Sequence, residues 1–251
     1  MLAAERRAVL LSHLQTTGKV VAKDVAARLG VTEDMIRRDL RELAAAGLCR
    51  RVYGGALPVS AATADHATRA TVAADSKARV AAAAATLIRP GSTVLLDGGT
   101  TALAVTAALP PELSATIVTH SPTVAAALVA HPAVDVYVLG GRLFKHSVVT
   151  CGAATAEAAR GISADLFLLG VTGVHPEAGL TTGDVEEAAM KRVLATRAAD
   201  TYVLASSEKI GAAAPFTVLA PGEVSGIVTD AAPDHPTVRS LRDAGVTIVP
   251  A

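Results

Sequence analysis

From Val72 onward, short apolar segments rich in β-branched residues alternate with alanine-rich segments of helical composition. Near-continuous apolar runs are typical of strands buried on both faces, and strand–helix alternation is typical of a mainly parallel sheet. We therefore predict a mainly parallel α/β domain with helices covering both faces. The predicted strands are Thr93–Leu96, Thr116–Val118, Val134–Leu139, Leu166–Gly170, Thr201–Ala205, Gly226–Val228 and Val246–Val249, and the predicted helices are 74–88, 101–108, 122–130, 153–160, 184–199 and 236–243.

The N-terminal quarter of the chain has a different pattern, in which three helical segments precede a short strand. Gly30 can end the second helix in a left-handed conformation, and Thr32 can cap the third. Ile36, Leu40 and Leu43 lie at positions i, i+4 and i+7, so they share one face that packs on the second helix. This pattern is typical of a helix-turn-helix. The predicted elements are helices at Leu2–Gln15, Ala22–Leu29 and Glu33–Ala46 and a strand at Leu48–Tyr53.

Charge divides the chain in the same place, although its formal net charge is zero. Residues 1–60 hold ten Lys and Arg against six Asp and Glu, a net of +4, and the remainder holds 13 against 17, a net of −4. Such asymmetry indicates two modules with different partners. We predict a DNA-binding domain at 1–56, an Ala-, Thr- and Ser-rich linker at 57–71, and the α/β domain at 72–251.

The polar face of the third helix carries the residues expected to contact DNA. With the apolar face buried, polar residues near the start of this helix can read bases, while nearby cations neutralise phosphates. Arg37 has the fork geometry that matches guanine O6 and N7. The alternative is a solvated face whose arginines pair with Asp34, Asp39 and Glu42. The candidate contacts in and before this helix are Lys23, Thr32, Glu33, Arg37, Arg38 and Arg41.

The stretch from Arg6 to Ala56 resembles the DeoR-type winged helix-turn-helix, most specifically in IRRDL at 36–40 and RRVYGGA at 50–56. The resemblance implies a helix-turn-helix over Val20–Asp39 and a wing over Arg50–Gly55. Arg51 and Tyr53 of that wing would contact the DNA backbone or the minor groove. The implied partner is double-stranded operator DNA.

Glycine and hydroxyl residues follow three of the predicted strands, where a parallel sheet binds its ligands. The first strand is followed by Asp97, Gly98, Gly99, Thr100 and Thr101 at a helix start, which suits a phosphate because glycines allow close backbone approach and the helix dipole favours an anion. The turns after the second and third strands contain, respectively, Thr119-His120-Ser121 and Gly140-Gly141. We predict that these turns meet in one phosphate-binding pocket.

Residues 69–251 also resemble the DeoR-family sensor domain, whose fold is related to ribose-5-phosphate isomerase and CoA transferase. The match includes DGGTT at 97–101, THS at 119–121, LGG at 139–141 and GLTTGDVEEAAMKR at 179–192. It implies a repressor of a carbohydrate-metabolism operon, whose DNA affinity changes when a phosphorylated sugar binds. The resemblance and the glycine and hydroxyl turns together imply a set of residues that bind the sugar phosphate. These residues are Asp97, Gly98, Gly99, Thr100, Thr101, Thr119, His120, Ser121, Gly140, Gly141 and Lys209.

Two positions depart from the family pattern. His120 stands where the family usually has Asn, and Ser206-Ser207-Glu208-Lys209 stands where it usually has Asp-Ser-Ser-Lys. The second change removes an acceptor for a sugar hydroxyl and leaves open whether Glu208 replaces it. Asp184, Glu187 and Lys191 lie at helical spacing, and we interpret them mainly as a solvated face or an oligomer contact, with pocket lining as the alternative.

An alternative function is that of a sugar-phosphate enzyme, isomerase- or deaminase-like, because the sensor fold is shared with enzymes. Against it, no acid–base pair is evident near the glycine turn beyond Asp97, so we predict no catalytic residues. The scattered histidines and two distant cysteines predict no metal and no cofactor. No apolar run is long enough for a membrane span, so we expect a cytoplasmic protein. Two-fold operators require a homo-oligomer, either a dimer or a tetramer.

Overall fold

The computed structural model describes residues 1–60 and 66–251. Within the first of these ranges, three helices and three short strands form an N-terminal unit with its own core. Its sheet has the order β1-β3-β2, with both pairings antiparallel. The elements are α1 (Ala3–Thr17), β1 (Val20–Val21), α2 (Ala22–Leu29), α3 (Glu33–Ala45), β2 (Arg50–Val52) and β3 (Gly55–Leu57).

Local sequence signals fix the helix-turn-helix. Gly30 ends α2 in a left-handed conformation with φ of 63°, where a side chain would be strained. The Thr32 hydroxyl accepts a hydrogen bond from the Met35 backbone N–H at 3.3 Å and so caps α3. Ile36 and Leu40 are fully buried in the core of this unit, as the spacing predicts.

Strand β3 was not predicted from the sequence, although it is the central strand of the small sheet. Ala56 pairs with Val20 of β1 on one side and with Arg51 of β2 on the other. The strand has three residues and contains a glycine, so its composition gives only a turn signal. Gly55 is required here because a Cβ would lie 1.8 Å from the Val20 carbonyl oxygen.

The segment predicted as a linker, 57–71, is partly ordered against the rest of the protein. Leu57 ends β3, Val59 forms a parallel β-bridge with Ala213, and the Ser60 hydroxyl donates to the Thr172 carbonyl oxygen at 2.5 Å. Residues 61–65 of this prediction lie outside the described residues. Most of the described segment is therefore held by specific contacts.

Residues 66–71 form a helix, α4 (His66–Thr71), where the sequence predicted irregular structure. Its stability comes from a tertiary contact that composition does not show. The buried Lys77 ammonium donates to the carbonyl oxygens of Arg69 and Val72, at the end of the helix where carbonyls lack intrahelical partners.

Within residues 66–251, a seven-stranded sheet forms the centre of the larger unit, with the order β15-β14-β12-β9-β4-β5-β6 and every pairing parallel. The predicted parallel α/β fold is confirmed. Its strands are β4 (Thr93–Leu96), β5 (Ala115–Thr119), β6 (Val134–Val138), β9 (Ala164–Gly170), β12 (Ala198–Leu204), β14 (Gly226–Thr229) and β15 (Ile248–Pro250).

Helices cover both faces of this sheet, so adjacent strand residues are buried on opposite sides. Leu168 packs with one core, which includes Val80 and Val105, whereas Phe167 packs with the other, which includes Leu194 and Leu241. Burial on both faces explains why central strands such as β4 and β9 are apolar along most of their length. The helices are α5 (Ala74–Ala85), α6 (Thr100–Ala108), α7 (Pro122–Leu128), α8 (Ala153–Arg160), α9 (Val185–Ala195) and α10 (Pro236–Asp243).

Two small antiparallel sheets, absent from the sequence prediction, add to the carboxyl edge of the main sheet. One pairs β7 with β8, and the other has the order β10-β11-β13. No helix in the described part of the chain is long and apolar enough to span a bilayer. The added strands are β7 (Arg142–Phe144), β8 (Val149–Cys151), β10 (Gly173–His175), β11 (Gly179–Thr182) and β13 (Phe216–Leu219).

Candidate functional site

The candidate DNA-binding face is formed by α3 and by the β2–β3 wing. Arg37, Arg38 and Arg41 are exposed on α3, and Arg51 and the fully exposed Tyr53 extend from the wing. A concave surface about 560 Å³ in volume is bordered by Arg37 on one side and by Arg51 and Tyr53 on the other. Lys23 and Thr32 are exposed, and Glu33 is half-buried. The fold therefore brings recognition-helix and wing residues to one surface.

The alternative, a helix face neutralised by its own acids, is only partly realised. Arg37 pairs with Glu33 at 2.7 Å, and Arg38 approaches Glu42 at 3.7 Å. Both pairs are exposed and contribute at most about 1 kcal/mol, so a DNA phosphate can replace the acid. Asp39 is turned inward and pairs with Arg6 in the core. The arginines of α3 can therefore leave their partners without disturbing the fold.

A second candidate site is a cavity at the carboxyl ends of β4, β9 and β12. The space between its walls is about 440 Å³ when its open mouth is included. We call it the cationic cavity, because its lining includes four cationic side chains and only two carboxylates. Its lining residues are Arg69, Val72, Lys77, Gly98, Gly99, Thr100, Thr101, Gly170, Val171, Thr172, Thr182, Glu187, Lys191, Glu208 and Lys209.

The glycine turn after β4 leads directly into α6 at the cavity wall. Gly99 has φ of 96°, and a Cβ on Gly98 would lie 2.1 Å from a Val149 methyl, so both positions require glycine. Thr100 and Thr101 begin α6, where backbone N–H groups have no intrahelical acceptor. This end of the helix can therefore donate hydrogen bonds to an anion.

Lys209 is buried in the cavity wall, and its ammonium donates to the Thr101 hydroxyl at 3.1 Å and to the Leu204 carbonyl at 3.5 Å. Burial lowers the pKa of Lys209 to about 8, since desolvation disfavours the charged form. The nearby Glu208 opposes this change, whereas Lys77, Arg69 and Lys191 reinforce it. A bound dianion would favour the protonated amine.

Asp97 lies beneath the cavity, where protein groups occupy both of its carboxylate oxygens. Oδ1 accepts from the Gly98 N–H at 2.8 Å and contacts His120 Nε2 at 2.7 Å; Oδ2 accepts from the Gly170 N–H at 2.8 Å and the Lys191 ammonium at 2.5 Å. Burial alone would raise the pKa of Asp97, but Lys191 and His120 hold it well below its usual range. Asp97 therefore organises the cavity from below.

Eleven effector residues were expected to line one pocket, and only five of them, Gly98 to Thr101 and Lys209, lie on the cavity wall. Asp97, Thr119, His120 and Ser121 are buried behind it, because their polar atoms are used within the protein. Gly140 and Gly141 are exposed outside it, where the Gly140 carbonyl accepts from Thr155.

The interpretation of Glu187 and Lys191 as a solvated face or oligomer contact is wrong. Both are buried and border the cationic cavity. Lys191 reaches Asp97, and Glu187 accepts from the Thr182 hydroxyl at 3.0 Å. Burial opposes charge on Lys191, yet Asp97 and Glu187 raise its pKa. Only Asp184 stays partly exposed, as the N-cap of α9.

The cysteines and the possible metal ligands form no further reactive site among the described residues. In the described chain both cysteines are free and buried. Burial raises the pKa of Cys151 to about 12, and Glu187 adds to the effect, so the thiol remains protonated at neutral pH. No cluster of three or more metal-binding side chains occurs within residues 1–60 and 66–251.

Comparison with known families covers both units of the chain. The DeoR-like helix-turn-helix domain model matches residues 6–62, and the DeoR C terminal sensor domain model matches residues 72–231. This chain belongs to the DeoR family. The family membership that the sequence motifs indicated is confirmed. This DeoR-family protein is a DNA-binding transcriptional regulator.

Individual relatives extend over nearly the whole DeoR-family chain. It is 29% identical to the HTH-type transcriptional regulator GlpR of Haloferax volcanii, over 99% of this chain and 98% of that protein. It is 30% identical to the regulator FruR of Bacillus subtilis over 92% of each chain, and 28% identical to the glycerol-3-phosphate regulon repressor of Escherichia coli over 95% of each. These relatives are named as regulators, not as enzymes.

Among solved structures, ribose 5-phosphate isomerase A from Methanocaldococcus jannaschii matches 54% of this DeoR-family chain and 54% of its own. The TM-score is 0.41 and the sequence identity is 18%.

Proposed function

We propose that this DeoR-family regulator represses a carbohydrate-metabolism operon and that a phosphorylated sugar in the cationic cavity changes its affinity for operator DNA. The observation that carries this proposal is the concentration of Arg69, Lys77, Lys191 and Lys209 around a glycine turn at the start of α6. These groups suit a phosphate dianion. A relative named as a glycerol-3-phosphate regulon repressor supports the same ligand class.

Within the cavity, Gly98 and Gly99 are proposed to let the backbone approach the phosphate, with Thr100, Thr101 and Lys209 donating hydrogen bonds to it. Asp97, His120 and Ser121 are proposed to act as positioning residues from behind. Their support is physical: His120 contacts Asp97 at 2.7 Å, and a Cβ on Gly98 would lie 3.3 Å from Ser121. Thr119, Gly140 and Gly141 are left with no proposed direct contact.

On the DNA side, two-fold operators favour a homo-oligomer, a dimer or a tetramer, that presents two copies of α3. The setting in which such a protein meets both chromosomal DNA and phosphorylated metabolites is the cytoplasm. The proposed base contacts come from the start of α3 and the proposed phosphate contacts from the flanking elements. The residues concerned are Lys23, Thr32, Glu33, Arg37, Arg38, Arg41, Arg51 and Tyr53.

The test uses an operator duplex that the full-length protein selects from a random library, followed by fluorescence anisotropy titrations. Glycerol 3-phosphate, glucose 6-phosphate and fructose 1-phosphate are compared with the unphosphorylated parent compounds. We expect at least one phosphorylated compound to change the Kd for DNA by about 5- to 150-fold, with no effect of its parent. The variant Lys209→Met should lose the response, while Lys145→Met, at an exposed position, should keep it. Failure to select DNA, or a DNA affinity indifferent to every phosphorylated compound, would contradict the proposal.

A further inference from the structure

The residues that leave the N-terminal unit contact two walls of the cationic cavity. Ser60 is 1% exposed, and its hydroxyl donates to the carbonyl oxygen of Thr172, a residue of the wall that follows β9. Its neighbour Val59 forms a parallel bridge with Ala213, four residues beyond the wall residue Lys209 that follows β12. Residues 58–60, which we call the connector, therefore contact the segments that follow two different strands of the sheet.

These two wall segments are packed directly against each other. A Cβ on Gly173 would lie 2.4 Å from the Ala212 carbonyl oxygen, so their backbones are in contact. The Gly211 N–H donates to the Val174 carbonyl at 2.8 Å, and the Ala214 N–H donates to the Thr181 hydroxyl at 2.8 Å. Close packing of this kind transmits a displacement, because no free volume absorbs it.

The same segments are tied to the groups proposed to bind the ligand. Gly170 is held by Asp97 through its N–H and by Lys191 through its carbonyl at 3.0 Å. Lys209 contacts Thr101 at the start of α6. A phosphate that draws Lys209 or the glycine turn toward itself therefore acts on the segments that hold the connector.

On the other side, the connector continues directly from β3, the central strand of the DNA-binding sheet. Through Ala56, β3 pairs with β1, which leads into α2, and with β2, which carries Arg51. A shift of the connector therefore moves the strand that joins the wing to the helix-turn-helix.

We infer that the connector is the mechanical link through which the cationic cavity controls the DNA-binding unit, and that the Ser60 hydroxyl is a positioning group in this link. The inference rests on the proposed function and adds to it a route for the signal. The route predicts that ligand binding and DNA binding can each survive when the coupling between them is lost.

The experiment measures three quantities for the full-length protein: the Kd for the selected operator, the Kd for the active phosphorylated compound, and the ratio of operator Kd with and without that compound. The variant is Ser60→Ala. The control is Ser92→Ala, which removes a more exposed hydroxyl-to-carbonyl hydrogen bond, to Arg89, in the turn before β4. We expect Ser60→Ala to keep both Kd values within about threefold of wild type and to lower the coupling ratio by at least about fivefold.

Hydrogen exchange of the wild-type protein gives a second readout that needs no substitution. We expect the phosphorylated compound, but not its unphosphorylated parent, to change amide exchange in residues 55–60 as well as around the cavity. The role of the connector would be contradicted if Ser60→Ala kept the wild-type effect of the compound on the operator Kd, or if amide exchange in residues 55–60 did not change. Either result would leave the proposed function intact. A wild-type protein with no ligand response in DNA binding would instead overturn both.

Discussion

Asp97 illustrates how a single side chain can hold together segments that are distant in the chain. It joins the turn after β4 to His120, to Gly170 and to Lys191, which is 94 residues away in sequence. A buried carboxylate of this kind is stable only while its cationic partners and hydrogen-bond donors remain in place. Its main effect therefore falls on folding rather than on direct contact with a ligand.

Replacing Asp97 by Asn should lower the free energy of unfolding by about 3–5 kcal/mol, because the buried Lys191 ammonium loses the nearer of its two carboxylate partners. Urea-induced unfolding measures the change. Asp135→Asn, on the exposed edge strand β6, should stay within about 0.5 kcal/mol of wild type. An Asp97→Asn protein as stable as this control would show that the ion pair does not support the cavity.

If a phosphorylated ligand binds beside Lys209 as proposed, we expect its affinity to depend on pH. The pKa of Lys209, lowered to about 8, means that the free protein loses this charge as the pH rises through 8, while a phosphate ligand is already a dianion. Binding must then take up a proton, so affinity should fall by about tenfold per pH unit above 8. Calorimetry with the active phosphorylated compound from pH 7 to 9.5 measures this slope. In Lys209→Met, affinity at pH 7 should be low and the slope largely absent; an unchanged slope would assign the titration to another group.

At the scale of elements, α3 and the wing are proposed to supply different kinds of DNA contact from one surface. The side chain of Arg37 is 54% exposed and pairs with Glu33, whereas Arg51 extends from a strand. A guanidinium on the recognition helix can read a base, and one on the wing can neutralise a phosphate. The two contacts can be separated because they depend differently on salt and sequence.

Arg37→Ala should weaken binding to the selected operator by about 1–3 kcal/mol and relax sequence preference at one position, whereas Arg51→Ala should weaken binding to all duplexes and reduce the salt slope by about one. Anisotropy titrations over a series of salt concentrations measure both effects. Arg239→Ala, exposed on α10, serves as the control and should bind DNA like wild type. Equal losses on selected and scrambled duplexes for Arg37→Ala would argue against base reading.

Regular elements could be predicted from the sequence where a pattern extends over several residues. All seven strands of the parallel sheet were predicted, because each contains adjacent apolar, β-prone residues, and α2 and α10 begin and end where the prediction placed them. Strands such as β3, β7 and β10 have three residues each, and their pairing depends on partners elsewhere in the chain. Each of these strands is too short and too mixed in composition to be recognised without those partners.

The candidate site was predictable to a similar extent. Glycines and threonines directly after a strand indicate a ligand-binding turn from the local sequence alone, so the turn after β4 could be recognised. Glu187 and Lys191 could not be distinguished from a solvated helix face. Only the fold shows that this face of α9 meets Asp97. His120 and Ser121 were wrongly expected to line the pocket. They follow a strand at the correct edge of the sheet, but their polar atoms form hydrogen bonds within the protein, to Asp97, Thr150 and α7.

At the scale of the whole molecule, the basic N-terminal unit is joined to a net acidic unit that holds the cavity. Direct contact between them includes the connector and an exposed ion pair, Lys19–Glu177 at 2.9 Å. The exposed pair contributes little to stability, so the relative placement of the units depends mainly on the connector and on packing.

A two-fold operator predicts an even number of chains. Light scattering on the purified protein should give a mass of two or four times 25.3 kDa. Footprinting of the selected operator should show half-sites about 10–10.5 base pairs apart, or a multiple of that spacing. A monomer that binds a single asymmetric site with full affinity would contradict this arrangement.

The support beneath the cavity has an evolutionary consequence. Because Asp97, Lys191 and the sheet are satisfied by one another, the identity of the ligand is free to drift without endangering the fold. Substitutions confined to the segments after β9 and β12 can allow a different metabolite to bind. Through the proposed connection to β3, the new ligand would then change the affinity for the same promoter. A regulator built in this way can be reassigned to a new nutrient by a handful of mutations, with its DNA specificity inherited unchanged.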